Sequence, residues 1–198
     1  MKRSLTATAA AIAGLLLLAG SPLVSAAHAQ DAAAFFSAAF QTAPAGGRPQ
    51  ASAIPREVVS FTNRYAPGTI VISTSERRLY FVLGDGTAIR YGVGVGRPGF
   101  EWAGTKVVSQ KREWPSWTPP AQMLKRRPDL PRHMKGGIEN PLGARAMYLG
   151  SSLYRIHGSN EPNTIGQAVS SGCIRMTNED VTDLYERVRV GTRVTVIR

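Results

Sequence analysis

The chain has 198 residues, with 24 basic and 13 acidic side chains, a net charge of +11 and one cysteine. A single cysteine excludes a scaffold held by internal disulfides, so the fold must be stabilised by a buried core. A structural zinc site needs four ligands, and two histidines beyond residue 29 with one cysteine are too few to supply them. The positive charge favours a polyanionic partner, and because the basic residues are scattered we expect a bacterial envelope and no nucleic acid.

The N-terminus reads as a secretory signal peptide over residues 1–29. A basic start at Lys2 and Arg3 precedes an apolar run that is too short to span a membrane. Small residues at Ala27 and Ala29 predict cleavage after Ala29, which takes away no acidic side chain and leaves a net charge of +9. An uncleaved anchor is the alternative. We therefore expect an exported, periplasmic protein.

Composition divides the remaining chain into a linker and one domain. Residues 30–65 are rich in Ala, Gly and Pro, which predicts a flexible linker, with a short helix around Phe35–Phe40. From residue 66 the chain becomes rich in β-branched and aromatic residues, which predicts a single domain over 66–198. Nothing in the sequence indicates an oligomer, and a monomer is the default expectation.

The pattern of the domain is mainly β. Asp85-Gly86 is a hairpin signal, and Gly150-Ser151 is a second turn. Strands are predicted over 69–73, 78–83, 87–95, 105–110, 148–149, 153–156 and 192–197. Many short strands separated by turn signals favour a β-sandwich-like fold.

One helix and one long irregular segment complete the predicted domain. Thr177 or Asn178 can cap a helix whose apolar residues Val181, Leu184, Tyr185 and Val188 recur at helical spacing. The segment from about 112 to 145 carries repeated Pro, Trp and Gly residues. Irregular segments of that length in compact domains are usually functional, so we expect it to form a lid or a substrate wall near the active-site cleft. The fold prediction therefore includes one or two short helices.

A glycine motif at residues 94–99 matches the dinucleotide fingerprint but fails its structural requirement. That motif needs a helix directly after it to receive the pyrophosphate. The residues that follow have no helical pattern, and the preceding strand belongs to a hairpin. A nucleotide site is excluded.

The lone Cys173 has three interpretations: a buried inert thiol, an intermolecular linker or a nucleophile. The number of cysteines alone favours the buried inert thiol, since cysteine is among the most buried residue types. His157 ends a predicted strand 16 residues earlier, and a loop of that length can bring the imidazole beside the thiol. Gly172 before the thiol allows close approach of a substrate, and the amides of Gly172 and Cys173 could form an oxyanion hole. Spacing alone leaves a hydrogen-bonded surface His157 as the alternative.

Several motifs in order along the chain resemble the L,D-transpeptidase catalytic domain of the YkuD type, in the branch found in Gram-negative envelopes. The resemblance covers roughly residues 66–198. Its central part is His157-Gly158 followed by Ser170-x-Gly172-Cys173-Ile174-Arg175-Met176. It also includes 67–71, 79–80, 91–96, Trp114-Pro115-x-Trp117, 140–143, Ile165-Gly166, Asn178, Asp180 and Leu184.

The resemblance implies a peptidoglycan L,D-transpeptidase, a cysteine acyltransferase without a metal or organic cofactor. Cys173 would attack the carbonyl of the third residue of a stem tetrapeptide and release D-alanine, with His157 as the base. The acyl group would pass to an amine, either on another stem, giving a 3-3 cross-link, or on a protein such as an outer-membrane lipoprotein. Carbapenems would acylate the same thiol.

The resemblance also implies roles for the residues around the thiol. The Gly158 carbonyl would orient the imidazole. Ser170, Gly172 and Arg175 occupy motif positions that shape the site or contact substrate, whereas His133 in the long segment is expected to be structural.

One position departs from the family pattern, because Ser171 stands where His is frequent. Two other functions stay open at this point. The first is an L,D-carboxypeptidase or cysteine hydrolase that uses water as acceptor, and the second is a non-catalytic peptidoglycan-binding module.

Overall fold

The computed structural model describes residues 54–62 and 64–198, so the predicted signal peptide and the Phe35–Phe40 helix lie outside it. Within these residues the fold is mostly β, with two short helices and one 3-10 turn at Pro162–Thr164. The strands are β1 (Glu57–Ser60), β2 (Ile70–Ser73), β3 (Arg78–Gly84), β4 (Thr87–Gly92), β5 (Val95–Gly96), β6 (Gly104–Glu113), β7 (Arg145–Leu149), β8 (Arg155–His157), β9 (Ala168–Ser170), β10 (Ile174–Arg175) and β11 (Arg193–Ile197). The helices are α1 (Ala121–Arg126) and α2 (Asn178–Arg187).

The β3–β4 hairpin forms where the sequence predicts it. Asp85 and Gly86 both have positive φ, of 48° and 80°, as a two-residue turn that follows the twist of its strands requires. The return strand is shorter than predicted, because pairing with β3 ends at Gly92. Beyond it, the amide of Gly94 donates to the carbonyl of Arg175, and β5 pairs with β9.

A nine-stranded sheet in the order β1-β4-β3-β2-β11-β6-β7-β8-β10 surrounds one core. β6 joins its two halves: Gly104–Val107 pairs with β11, and the strand pairs with β7 from Val108 onward, with an irregularity in register between Val108 and Gln110. Both halves contribute fully buried side chains to one cluster, among them Ile70, Leu79, Tyr91, Met147, Ile156 and Ile174. The predicted sandwich-like, mainly β fold is confirmed.

Helix α2 packs its predicted apolar face on this core. Thr177 is the N-cap, and its hydroxyl accepts a hydrogen bond from the Asp180 amide at 3.1 Å. At the other end the ammonium of Lys111 donates to the carbonyls of Tyr185 and Val188, both at 2.6 Å, and compensates the negative end of the helix.

Three strands are missing from the sequence prediction. β1 lies inside the predicted linker, pairs with β4, and shows no alternation of burial that would mark it as a strand. Just before it, Arg56 reaches Asp180 and Asp183 of α2 at 3.6 and 3.4 Å. β9 and β10, with three and two residues, are too short to carry a periodic pattern.

The long segment is less irregular than predicted, because β6 continues to Glu113, β7 begins at Arg145, and α1 lies between them. In the described part of the chain, neither helix has the length and hydropathy needed to cross a membrane.

Candidate active site

Two short parallel strands bring the predicted nucleophile and base to one cleft. β8 pairs with β10 so that Ile156 lies opposite Ile174 and His157 opposite Arg175. Cys173 directly precedes β10, and both Cys173 and His157 line the same cleft of about 550 Å³. The structure therefore brings together the two residues that the sequence separates by 16 positions.

Ser170 fixes the turn that carries the thiol. Its hydroxyl accepts from the Gly172 amide at 3.0 Å and donates to the Cys173 carbonyl at 2.6 Å. Gly172 has φ of +103°, which side-chain-bearing residues rarely adopt, and a Cβ there would lie 2.6 Å from the Tyr154 ring. Ser170 and Gly172 thus act on the backbone of the turn.

Trp102 and Tyr154 pack against the turn at Gly172 and support it. Their rings stack with centroids 4.6 Å apart and nearly parallel planes, and the Trp102 indole N–H donates to the Gly172 carbonyl at 2.8 Å. The indole holds the carbonyl while the phenol ring occupies the space that a Cβ at Gly172 would need.

The Cys173 thiol is half-buried and protonated at neutral pH. Its Sγ lies 3.6 Å from the Leu153 carbonyl, to which it donates. Burial raises the pKa of the thiol, and contacts with the backbone and guanidinium of Arg155 act in the opposite direction. Arg155 also carries a buried Nε without a hydrogen-bond partner within the described residues, and its guanidinium stacks over Tyr148 at 5.0 Å.

The His157 imidazole is buried and uncharged. Its Nδ1 lies 2.6 Å from the Gly158 carbonyl, which can only accept, so Nδ1 carries the proton and the lone pair is on Nε2. Burial and, to a smaller extent, the nearby positive charge of Arg175 together lower the pKa of His157 to about 3, against the opposing effect of the hydrogen bond to Gly158. A neutral imidazole of this tautomer can accept a proton at Nε2.

Gly158 is required by close packing around its backbone. A Cβ at this position would lie 2.3 Å from Oδ1 of Asn178, which also accepts a hydrogen bond from the Ala144 amide at 2.8 Å. The absence of a side chain lets the carbonyl of residue 158 approach the imidazole.

The remaining predicted site residues lie along the same cleft. The Ser171 hydroxyl accepts from Nη1 of Arg97 at 3.3 Å. Arg175 forms an ion pair with Glu161 at 2.9 Å, so its charge is partly neutralised. Of the two amides predicted to form an oxyanion hole, that of Gly172 already donates to the Ser170 hydroxyl. The amide of Cys173 has no hydrogen-bond partner within residues 54–62 and 64–198 and is available to an oxyanion.

The opposite side of the cleft, which we call the facing wall, is formed by residues 114–142. Asn140 organises it: its buried side chain donates to the carbonyls of Pro115 and Lys135 and accepts from the Leu142 amide. The cleft-lining residues of this wall include Trp117, Pro120, Met123, Arg126, Pro131, Met134 and Leu142. The predicted position of this segment beside the cleft is confirmed. His133 is exposed and lies 3.2 Å from the Thr118 hydroxyl.

No group of three or more His, Cys, Asp or Glu side chains arranged to hold a metal ion occurs among the described residues. The sequence prediction missed four residues of the site: Arg155 in β8, Tyr154 directly before it, and Trp102 and Arg97 in the segment between β5 and β6. Only Arg155 carried a usable signal, because it lies two residues before His157 and so faces the same side of a strand.

Comparisons with known proteins agree with this geometry. The model of the L,D-transpeptidase catalytic domain (YkuD) matches residues 67–196. Two probable L,D-transpeptidases of Escherichia coli K12, ErfK/SrfK and YbiS, are 40% and 42% identical to this chain over 137 residues, which is 65% of the chain. Those residues cover 43% and 44% of the two relatives, so the chain spans less than half of their length.

A solved structure shares the fold. L,D-transpeptidase 3 from Mycobacterium tuberculosis superposes with a TM-score of 0.54 and 19% identity, over 66% of this chain and 60% of that protein.

Proposed function

Since this chain belongs to the L,D-transpeptidase catalytic domain family, we propose that it is a peptidoglycan L,D-transpeptidase with Cys173 as nucleophile and His157 as base. One observation carries the proposal. A half-buried thiol and an imidazole with its lone pair on Nε2 face one cleft that is large enough for a peptide. No second acid–base group is needed for acyl transfer to sulfur.

The first half of the reaction forms the acyl-enzyme. Both groups are uncharged at rest, so the thiol leaves the Leu153 carbonyl and passes its proton to Nε2 as sulfur attacks the donor carbonyl. The hydrogen bond from the thiol to Nε2 is expected to form or shorten when the substrate binds, as catalytic hydrogen bonds commonly do. The free amide of Cys173 donates to the developing oxyanion. The C–N bond then breaks, His157 protonates the departing amine of D-alanine, and a thioester is left.

The second half transfers the acyl group. An acceptor amine attacks the thioester, His157 takes the amine proton and returns it to sulfur, and a new amide forms. The amine of another stem peptide gives a 3-3 cross-link, and that of an outer-membrane lipoprotein anchors the lipoprotein to the wall. Water in place of the amine would make the enzyme an L,D-carboxypeptidase.

The site is proposed to work outside the cytoplasm, after cleavage behind Ala29 and with the part of the predicted 30–65 linker that precedes Arg56 and β1 as a spacer. The basic N-terminus, the short apolar run and the net charge of +11 support this assignment. Fractionation of cells that express the chain with and without residues 1–29 tests it. Equal amounts of both forms in the periplasmic fraction would contradict it.

The first experiment incubates the chain from residue 30 with disaccharide-tetrapeptide and follows the protein and the products by mass spectrometry. We expect a thioester adduct on Cys173 and dimers with a diaminopimelate-to-diaminopimelate bond, and neither with Cys173→Ala. Tripeptide without dimers would identify the carboxypeptidase. Absence of both adduct and product in the wild type would contradict catalysis and favour a binding module.

A carbapenem provides an independent donor, because its strained amide acylates a reactive thiol without the leaving-group specificity of the peptide. We expect a one-to-one adduct on Cys173 and none with Cys173→Ala. An adduct of equal yield in Cys173→Ala would show that the carbapenem reacts with a residue other than Cys173.

A further inference from the structure

Two guanidinium groups from opposite sides of the cleft meet on one aromatic ring. Arg97, just after β5, lies 4.2 Å from the centroid of the Phe100 ring, and Arg126, in the last turn of α1, lies 5.6 Å from it. All three side chains line the cleft that holds Cys173. The ring is the point where the facing wall meets the wall that carries the nucleophile.

Neither of these two cations has an acidic partner within the described residues. Arg97 bonds to the neutral hydroxyl of Ser171 at 3.3 Å. Among the other cleft arginines, Arg127 forms two hydrogen bonds to Asp129 at 2.6 and 2.9 Å and Arg175 pairs with Glu161. Arg155 also has no acidic partner within the described residues, and its guanidinium lies over the Tyr148 ring.

Two like charges held near one ring repel each other, and a π face attracts each cation without neutralising it. Their positive potential is therefore available to an anion in the cleft, where low-dielectric walls strengthen it. A guanidinium suits a carboxylate because its planar fork can bind both oxygens. Arg97 is close to the reacting centre, since Ser171 is two residues before Cys173.

We propose that Arg97, Phe100 and Arg126 form a carboxylate subsite for the acyl-donor peptide, an inference that rests on the function proposed above. The donor carries three carboxylates that could occupy it: those of D-glutamate, of the side chain of diaminopimelate and of the terminal D-alanine. Occupation would bridge α1 to the opposite side of the cleft and hold the donor carbonyl beside the thiol. The contact with Ser171 links this subsite to the position where the family frequently has His.

Alkylation of Cys173 tests the subsite without a peptidoglycan substrate. The ratio of the rates with iodoacetate, an anion, and iodoacetamide, its neutral analogue, reports the potential at the thiol. We expect the double variant Arg97→Gln/Arg126→Gln to lower this ratio by roughly three- to tenfold at low salt. Arg127→Gln/Asp129→Asn is the matched control, because it removes a neighbouring guanidinium together with the carboxylate that neutralises it and leaves the net charge unchanged. An unchanged ratio in the double variant, or an equal fall in the control, would overturn the proposal.

Steady-state kinetics identify the carboxylate. The native tetrapeptide is compared with three analogues, each amidated at one carboxylate. For the native peptide we expect the double variant to raise KM by roughly fivefold or more, and for the analogue that lacks the recognised carboxylate by less than twofold. A KM that rises equally for all four peptides would overturn the subsite. If the wild-type enzyme converts none of the four peptides, the transpeptidase proposal fails. The ratio of alkylation rates then remains as the test of the anion subsite.

Discussion

The two sides of the cleft are built in different ways. The nucleophile wall, formed by β8–β10 and residues 170–173, is held by main-chain bonds: Gly94 and Arg175 exchange two at 2.9 Å, and the Arg97 amide donates to the Ser170 carbonyl. Ile156, Ile174 and Met176 behind it are almost fully buried. In the described part of the facing wall, the main-chain bonds between distant residues are the pair Trp117 with Met134 and the bond from the Trp114 amide to the Ala144 carbonyl, and the other main-chain bonds are local turns. The Asn140 side chain adds further links, and α1 buries no residue.

The rigid nucleophile wall and the less constrained facing wall meet two different requirements of the reaction. Attack on a carbonyl requires sulfur and imidazole within a few tenths of an ångström of their reacting positions, which strands backed by a core can provide. A wall that receives a peptide needs shape and a few polar groups, and it can move as substrate enters. We therefore expect changes in the nucleophile wall to act on kcat and changes in the facing wall to act on KM.

The largest effect is expected from His157→Ala, which removes the proton acceptor from the nucleophile wall. The rate of acyl-enzyme formation should fall by about 10²- to 10⁴-fold, measured by the appearance of the thioester mass. His133→Ala is the matched control in the facing wall, where the imidazole is exposed. If both variants lost a comparable fraction of the rate of acyl-enzyme formation, the proposed difference between the two walls would be wrong.

A loss of about 100-fold in kcat is expected from Gly172→Ala, because displacement of the nucleophile by about 1 Å costs that much. The new Cβ would lie 2.6 Å from Tyr154, whose ring is fixed by its stack on Trp102. Gly137→Ala is the control, since nothing lies within 4 Å of its added Cβ. A Gly172→Ala enzyme with normal kcat would show that the turn can adjust.

A roughly tenfold effect is expected from Arg155→Met on thiol reactivity. Loss of the guanidinium should raise the pKa of the Cys173 thiol further above its usual range and slow alkylation by iodoacetamide at pH 8. The pH dependence of the alkylation rate measures the change. Arg155→Lys retains the positive charge and should restore most of the rate, and a pH profile identical to wild type in Arg155→Met would contradict the assignment.

The smallest effect on the reaction is expected from Asn140→Ala in the facing wall. It leaves the buried carbonyl of Pro115 and the partly buried carbonyl of Lys135 without this donor, which should lower the free energy of unfolding by about 1–3 kcal/mol. KM should rise severalfold while kcat stays within about twofold. Denaturant melts and steady-state kinetics measure the two effects. Gln167→Ala, which removes an exposed bond to the Asn163 carbonyl and does not line the cleft, is the control and should change neither quantity. A fall in kcat equal to the rise in KM would contradict independent walls.

Much of the site could be read from the sequence, because its chemistry is concentrated in one contiguous motif. His157, Gly158 and the run Ser170–Arg175 all reach the cleft or support its backbone in the structure. Their catalytic roles stay predictions. The residues that surround the thiol from elsewhere, Trp102 and Arg97, could not be found, since nothing local relates them to residue 173.

The sequence by itself determined the elements with strong local signals. The β-branched run of β2, the run of β3 with its aromatic residues, the Asp85-Gly86 turn and the Thr177 cap each fix backbone conformation through interactions between near neighbours. Only the tertiary structure decided the pairing of β8 with β10, the short strands β9 and β10, and the inclusion of β1 in the sheet. A two-residue strand gains its hydrogen bonds from a partner that is distant in the chain, so its existence depends on the assembled core and leaves no periodic trace in its own residues.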